Sequence, residues 1–371
     1  MANDSTGKTL LAATESASTD RRSVLKAVAA GAATMTLLGA GSAAAYAQDA
    51  TPQATPAAGL LGASGELTIY SGRSEDLIAG VIEIIETNGD IDAQVSYGGT
   101  GEMAIKILEE GENSPASLFI AQDAGALGQL AEEGRFAALP EEILSRVDPR
   151  FASPDGLWVG LSARARVLVY NTDLIAGEDL PASMLDLTGE AWNGKVGWAP
   201  TNASFQTHVT AMRVVLGEDE TRAWLEGMID NGAVTFEGNG PIVTAVVAGE
   251  IPVGLVNHYY LWEKIAEEGP VPAENYYFPD GDIGSLVNVA GAGILADSPN
   301  PDQALRALDI LLGAAGQSYF AENTSEYPLI AGVEPKAELP PLEQIETPAI
   351  ELTDLDDLEG TVALLMEVGL L

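Results

Sequence analysis

The chain has 371 residues, Lys+Arg 17 against Asp+Glu 55, a net charge of -38 and no cysteine. The length admits two domains of ordinary size, and 46% hydrophobic residues suffice for real cores. The charge argues against nucleic acid or anionic membranes as partners and favours cations, although a solvated acidic surface is its ordinary use; the missing cysteine rules out disulfides, thiolate metal sites, Cys nucleophiles and a lipidated Cys.

In chain order, Arg21-Arg22-Ser23-Val24-Leu25-Lys26 has the pattern of a twin-arginine export signal. The uncharged stretch Ala27 to Ala47 closes with Ala45-Tyr46-Ala47. This predicts a signal peptide over 1–47, cleaved after Ala47, with a retained membrane anchor as the alternative. Residues 48–65 read as a flexible leader. From Glu66, short apolar strands alternate with amphipathic helices. Leu67 to Tyr70 is a strand, and Leu77, Ile78, Val81, Ile82 and Ile85 recur at helical spacing. Ala93 to Tyr97 is the next strand, Gly98-Gly-Thr-Gly101 leads into a helix ending near Gly111, and Ser117 to Ala121 is a third strand with Asp123 as the following N-cap. This βαβαβ order predicts a parallel sheet covered by helices. Leu157 to Tyr170 is a longer strand with Arg164, Arg166, Leu168 and Tyr170 on one face by parity. Strands over 195–199, 251–257 and 285–295 follow, with helices starting near Ser204 and capped by Asn239, and others near 301–315 and 354–368.

Tyr259 and Tyr260 stand where the strand 251–257 ends and a helix begins. Phenolate is a hard oxygen donor suited to a trivalent cation, and strand carboxyl ends are where open α/β sheets build ligand sites. The alternative is one tyrosine packed under the helix and the other on the surface. Arg164 and Arg166 lie in an apolar strand, where each guanidinium either pairs with a carboxylate or clamps an oxyanion. Pro200-Thr-Asn-Ala-Ser204 and Asn239 open helices whose free N–H groups either receive caps alone or hold an anion such as carbonate or phosphate. Gly98-Gly-Thr-Gly101 lacks the residues of a phosphate loop and reads as a tight turn. Of the two histidines, His208 lies inside a helix and His258 precedes the tyrosines; neither has partners at zinc or triad spacing. His258 stays a weaker candidate ligand, with a supporting role as its alternative.

Taken together, Leu67-Thr-Ile-Tyr-Ser-Gly-Arg73, Glu109-Glu-Gly-Glu-Asn-Ser-Pro-Ala116, Gly160-Leu-Ser-Ala-Arg-Ala-Arg-Val-Leu-Val-Tyr-Asn171, Trp192-Asn-Gly-Lys-Val-Gly-Trp-Ala-Pro-Thr-Asn202, Asn257-His-Tyr-Tyr260 and Glu326-Tyr-Pro-Leu329 resemble the ferric-iron-binding class of periplasmic solute-binding proteins, the capture components of iron ABC importers. The motifs fall in order over nearly all of 66–370. The resemblance implies an α/β fold of two lobes, the type II periplasmic-binding-protein "Venus flytrap", with lobe 1 over 66–164 and 288–340, lobe 2 over 165–287 and 341–371, and iron held between them. It implies Tyr259 and Tyr260 as paired metal ligands and Tyr170 as a third. It places Arg164, Asn202, Ala203 and Asn239 at a synergistic anion or along the cleft. The chain departs from the family after the first strand, where Ser74-Glu75 replaces a His or Tyr ligand, and after the third, where Gln122-Asp123 replaces a Glu. Glu75, Asp123 or Gln122, an anion or water then completes the shell, or the ion rests mainly on lobe 2.

The expectation is an exported, monomeric binding protein, not an enzyme, that takes Fe3+ with carbonate or phosphate and delivers it to the transmembrane subunits of an ABC permease. Two rivals stand beside it: the same fold holding an organic anion, oxyanion or polyamine between tyrosine walls, and a secreted hydrolase using paired carboxylates, for which no motif pairs two acids.

Overall fold

The computed structural model describes residues 63–336 and 338–371; the expected signal peptide and nearly all of the expected leader lie outside the described residues. The first stretch runs β1 (Gly65–Ser71), α1 (Glu75–Gly89), β2 (Ile91–Tyr97), α2 (Thr100–Glu110), β3 (Leu118–Ala121), α3 (Ala124–Glu132), a short α4 (Glu141–Leu144) and β4 (Val159–Asn171). A second stretch follows as β5 (Val196–Trp198), α5 (Ala203–Leu216), α6 (Glu218–Asp230), β6 (Val234–Thr235), α7 (Asn239–Val247), β7 (Val253–Asn257), α8 (Tyr259–Glu268) and β8 (Ala273–Tyr276). The chain then returns through β9 (Val287–Ile294), α9 (Pro301–Leu311), α10 (Ala314–Asn323) and β10 (Tyr327–Pro328), and α11 (Leu358–Glu367) lies near its end.

Hydrogen bonds order the strands β2-β1-β3-β9-β4-β7-β5-β6, with β8 and β10 also paired to β4. β1 is parallel to β2 and β3, as the βαβαβ pattern predicts, while β9 joins antiparallel to β3. β4 is the shared element. Its first half, to Ala165, pairs with β9, and from Arg166 to Tyr170 it pairs with Asn257 to Val253 of β7. Every residue of β4 is buried, which its near-continuous apolar sequence anticipates for a strand covered on both faces. Two α/β lobes thus share one strand that changes partners between Ala165 and Arg166.

The helices follow their apolar stripes. In α1, Ile78, Val81, Ile82 and Ile85 are buried, and Glu75 and Asp76 lie in the first turn, where the helix dipole favours negative charge. α7 packs so close to β7 that a Cβ on Gly254 would clash with Ile242, so only glycine fits there. Sequence periodicity left α6 unassigned, although Thr221, Trp224, Leu225 and Met228 form its buried face at helical spacing. Its acidic first turn hid that stripe. The helix expected over 301–315 breaks at Gly313 into α9 and α10, and the cap expected at Asn239 is Gly238, with Asn239 the first helical residue. Among the described residues no helix is long and apolar enough to cross a membrane.

Candidate functional site

Tyr259 and Tyr260 are the first two residues of α8, directly past the end of β7. On a strand, neighbouring side chains would point to opposite faces; the turn into a helix removes that constraint. Their rings stack with centroids 4.5 Å apart and planes at 30°. Tyr259 is 3% exposed and Tyr260 is half-buried beside Gly240, at the start of α7. The side chains around them are cross-linked. Asn257 donates from Nδ2 to the Tyr259 hydroxyl at 3.4 Å and to Ser204 Oγ at 3.1 Å. Arg166 Nη1 donates to Oδ1 of Asn257 at 3.2 Å and of Asn239 at 3.3 Å. Asn239 Nδ2 in turn donates to Asn202 Oδ1 at 3.3 Å, an oxygen that also caps α5 by accepting from the Ser204 N–H at 3.1 Å. The ends of β5 and β7 and the starts of α5, α7 and α8 are tied to one another at the carboxyl edge of the sheet, where open α/β folds place ligands.

Charge is concentrated here without being neutralised. Burial pushes the Tyr259 phenol well above its usual range and Tyr260 adds to this, while Arg164 and the Asn257 amide pull it down. Arg166 is pulled down to about 10, first by burial and also by Arg164, against the two phenols. Arg164 is 2% exposed, and neither Nη1 nor Nη2 has a hydrogen-bond partner among the described residues; the same holds for Nε and Nη2 of Arg166. A buried guanidinium with unpartnered donors is costly. Among the described residues neither arginine makes a salt bridge, although the Asp123 carboxyl is influenced by Arg164.

The remaining sequence candidates divide. Ala203 opens α5 next to Asn202 and so joins the cluster. Asp123 occupies the N-cap position of α3, buried; desolvation raises its carboxyl, and Arg164 and the N–H groups of Ala126 and Gly125 oppose that rise. Gln122 is half-buried and its N–H donates to Thr100 Oγ1 at 3.3 Å. Glu75 is exposed on α1 and acts on the Tyr97 phenol. His258, the weaker candidate ligand, is fully buried. Its Nδ1 accepts from the Ala165 N–H at 3.2 Å, and its Nε2 donates to the Ser325 carbonyl at 2.8 Å, so both nitrogens are used. Burial pushes it down to about 4, and the ring is neutral. Tyr170 is also not brought to the pair. It lies opposite Val253, at the far end of β7, four residues along β4 from Arg166, roughly 13 Å at strand rise. Its hydroxyl donates to Glu274 at 2.9 Å.

A two-lobed α/β fold with a buried cluster of arginines, asparagines and tyrosines at its strand ends has parallels among known proteins. The family described as bacterial extracellular solute-binding protein matches residues 113–351. The chain belongs to that family. It is 31% identical to the Fe(3+)-binding periplasmic protein of Serratia marcescens over 82% of this chain and 90% of that one. It is 30% identical to the major ferric iron-binding protein of Neisseria meningitidis serogroup B over 83% of this chain and 94% of that one. Among solved structures, iron-bound HitA from Pseudomonas aeruginosa superposes with a TM-score of 0.78 at 32% identity, covering 82% of this chain and 99% of HitA. The apo ferric ion-binding protein A of Pasteurella haemolytica gives 0.75 at 26%, over 82% and 98%. The fold is therefore the two-lobed type II periplasmic-binding-protein architecture that the sequence motifs imply.

The cluster at the end of β7 contains residues that sequence reasoning did not select as site residues. Asn257 is its hub, and the signal was available: it directly precedes His258 and the tyrosines, on the last residue of β7. Arg73 and Glu326, quoted only within motifs, form a buried ion pair at 2.7 Å, and Glu326 acts on Tyr259. A contact between residues so far apart in the chain leaves no mark on local sequence pattern.

Proposed function

We propose that this chain is an exported capture protein for ferric iron, in which Tyr259 and Tyr260 are phenolate ligands and Arg164, with Asn202, Ala203 and Asn239, holds a carbonate or phosphate that completes the metal shell. The observation that carries the reading is the stacked tyrosine pair at the end of β7, set among buried guanidinium groups with idle donors. Two phenolates and a carbonate bring oxygen donors and negative charge matched to a hard trivalent cation. The arginines favour both the anion and the ionised phenols by charge. The relatives named for ferric iron support the cargo. Delivery to an ABC permease, a monomeric state and function outside the cytoplasm follow from the same reading, with Arg21-Arg22 directing export through the twin-arginine route. Replacing both arginines by lysine is expected to leave precursor in the cytoplasm on cell fractionation; normal export of that variant would remove the route.

One observation favours a second reading. The idle donors of Arg164 and Arg166 would equally suit an organic anion or oxyanion held between the tyrosine rings with no metal. A visible spectrum separates the two, because only iron bound to phenolate gives a charge-transfer colour. The expected outcome is a coloured, iron-containing protein that bleaches when a chelator strips the metal. A colourless protein that binds a small anion with no metal would establish the second reading.

A further inference from the structure

His258 occupies the N-cap position of α8, yet its side chain does not cap the helix. Such positions ordinarily carry a short oxygen-bearing side chain that accepts from the first turn. The ring serves β4 instead. The register of β4 with β7 runs from Tyr170 opposite Val253 to Arg166 opposite Asn257, so the next rung would pair Ala165 with His258. Half of that rung is ordinary backbone, the His258 N–H donating to the Ala165 carbonyl at 3.0 Å. The other half is not. The Ala165 N–H donates to His258 Nδ1 at 3.2 Å, and the His258 carbonyl accepts from Asn275 Nδ2 at 2.8 Å. The imidazole thus stands in for the backbone oxygen that the ladder loses as the chain turns, at φ -57° and ψ -34°, into α8. Its other nitrogen reaches a third stretch of chain. An N–H can only donate and a carbonyl can only accept, so Nδ1 is bare and Nε2 carries the proton that it gives to the Ser325 carbonyl at 2.8 Å. Ser325 lies just before β10, whose Tyr327 pairs with Ala163 of β4. Its φ of 54° is left-handed, a costly conformation for a residue with a Cβ. The ring also packs tilted on Tyr327, centroids 4.9 Å apart, and edge-on to Tyr259 at 5.7 Å.

We propose that His258 is a positioning residue for the tyrosine pair: its Nδ1 completes the last β4–β7 rung, its Nε2 ties that rung to Ser325, and together they fix the point at which α8, and so Tyr259 and Tyr260, leaves the sheet. The proposal rests on the tyrosine reading above and adds what makes the pair's location rigid. A ligand pair whose backbone is loose binds more weakly, because the cost of ordering it falls on the binding step.

The test uses replacements that keep one bond at a time. His258→Asn places an amide oxygen near the Nδ1 position and keeps an acceptor for Ala165. His258→Gln places an amide N–H near the Nε2 position and keeps a donor for Ser325, and His258→Phe keeps a ring with neither bond. Hydrogen exchange at the Ala165 amide of the metal-free protein reads the rung. A titration with ferric iron offered from citrate, followed at the visible phenolate band, reads the tyrosine pair, and far-ultraviolet circular dichroism verifies each fold. The Ala165 amide is expected to stay protected in His258→Asn and to exchange faster in His258→Gln and His258→Phe. Those two should bind iron about 10- to 100-fold more weakly, the range typical for losing a group that orients a metal ligand, with the band shifted, while His258→Asn recovers most of the loss. Parent-like binding by His258→Gln with its Ala165 amide exchanging freely would overturn the proposal. So would equal weakening in His258→Asn and His258→Gln with Ala165 protected only in the former, which would assign the effect to packing of the ring. Both comparisons stand even where His258→Phe fails to fold. A parent that binds iron with no phenolate band removes the tyrosine reading itself, an outcome visible before any variant is compared.

Discussion

The end of β7 and the ends of β1 and β3 are built differently. Around the end of β7, polar side chains lock to one another: Arg166 to Asn257 and Asn239, Asn239 to Asn202, Asn257 to Ser204 and Tyr259. At the ends of β1 and β3, among the described residues, no such network forms around the candidate ligands. Glu75 is exposed, Gln122 contributes its backbone to Thr100, and Asp123 is turned to Arg164 and the start of α3. A metal site needs ligands whose positions are fixed before the ion arrives, because each group ordered on binding subtracts from affinity. By that criterion the β7 side is the preorganised half. The comparison predicts that ligand loss on the β7 side is severe and that changes at the ends of β1 and β3 are mild.

The largest effect is expected from the tyrosines. Tyr259→Phe and Tyr260→Phe keep the stacked rings and remove one oxygen each, so the fold should survive and coordination should not. Either change should weaken iron binding by more than ~100-fold, beyond the range for supporting groups, and bleach or shift the charge-transfer band. Isothermal competition against citrate with the visible spectrum checks this. Parent-like binding by both variants would return the pair to being a packed aromatic corner.

The same phenols set the pH dependence. Tyr259 in the free protein titrates well above its usual range because it is buried beside Tyr260, so it is protonated at neutral pH and iron must displace its proton. Each displaced proton makes affinity rise with pH, by about tenfold per pH unit while the phenol stays protonated in the free protein. Iron binding should therefore weaken steadily as the medium acidifies, in a protein that remains folded. A flat profile across neutral pH would move the burden to groups already ionised there.

Arg164→Ala comes next in size. Its guanidinium is buried with idle donors, and removing it should weaken iron binding by about 10- to 100-fold and abolish the gain from added carbonate or phosphate. Weakened binding with an intact anion response would assign the anion to Arg166 and the helix starts instead. Unchanged binding with an intact response would leave Arg164 a structural residue.

Much of this was legible in the sequence because it is local. The strand-to-helix break before Tyr259, the apolar run of β4 and the stripe of α1 are patterns within one element. Asn202 was legible as a cap because capping is a contact two residues long. What escaped needed three dimensions. Parity placed Arg164, Arg166 and Tyr170 on one face, but it could not show that β4 changes partners after Ala165, which sets Arg166 opposite Asn257 and Tyr170 opposite Val253, at the other end of β7. Nor could it show that His258 spends both nitrogens on Ala165 and Ser325, or that Glu326 reaches Arg73.

The smallest effect on binding is expected at Tyr170, and it sharpens the comparison most directly. The motif match makes it a third ligand; the register makes it a packing residue opposite Val253 whose hydroxyl serves Glu274. Tyr170→Phe should therefore leave iron affinity within about twofold of the parent, and should lower stability by about 1 kcal/mol, the usual net worth of one hydrogen bond. Its pH signature is separate from that of the site. Burial and then Glu274 push this phenol from 10.0 up to about 12, so its contribution to stability is present below the unfolded value and fades as pH rises through the folded one. Denaturant unfolding of parent and variant at neutral pH and again in strong alkali should show a difference that shrinks, while the iron titration at neutral pH shows none. If Tyr170→Phe instead loses iron as severely as Tyr259→Phe, the far end of β7 must come to the metal when the lobes close, and the division into a preorganised side and a passive remainder would fail.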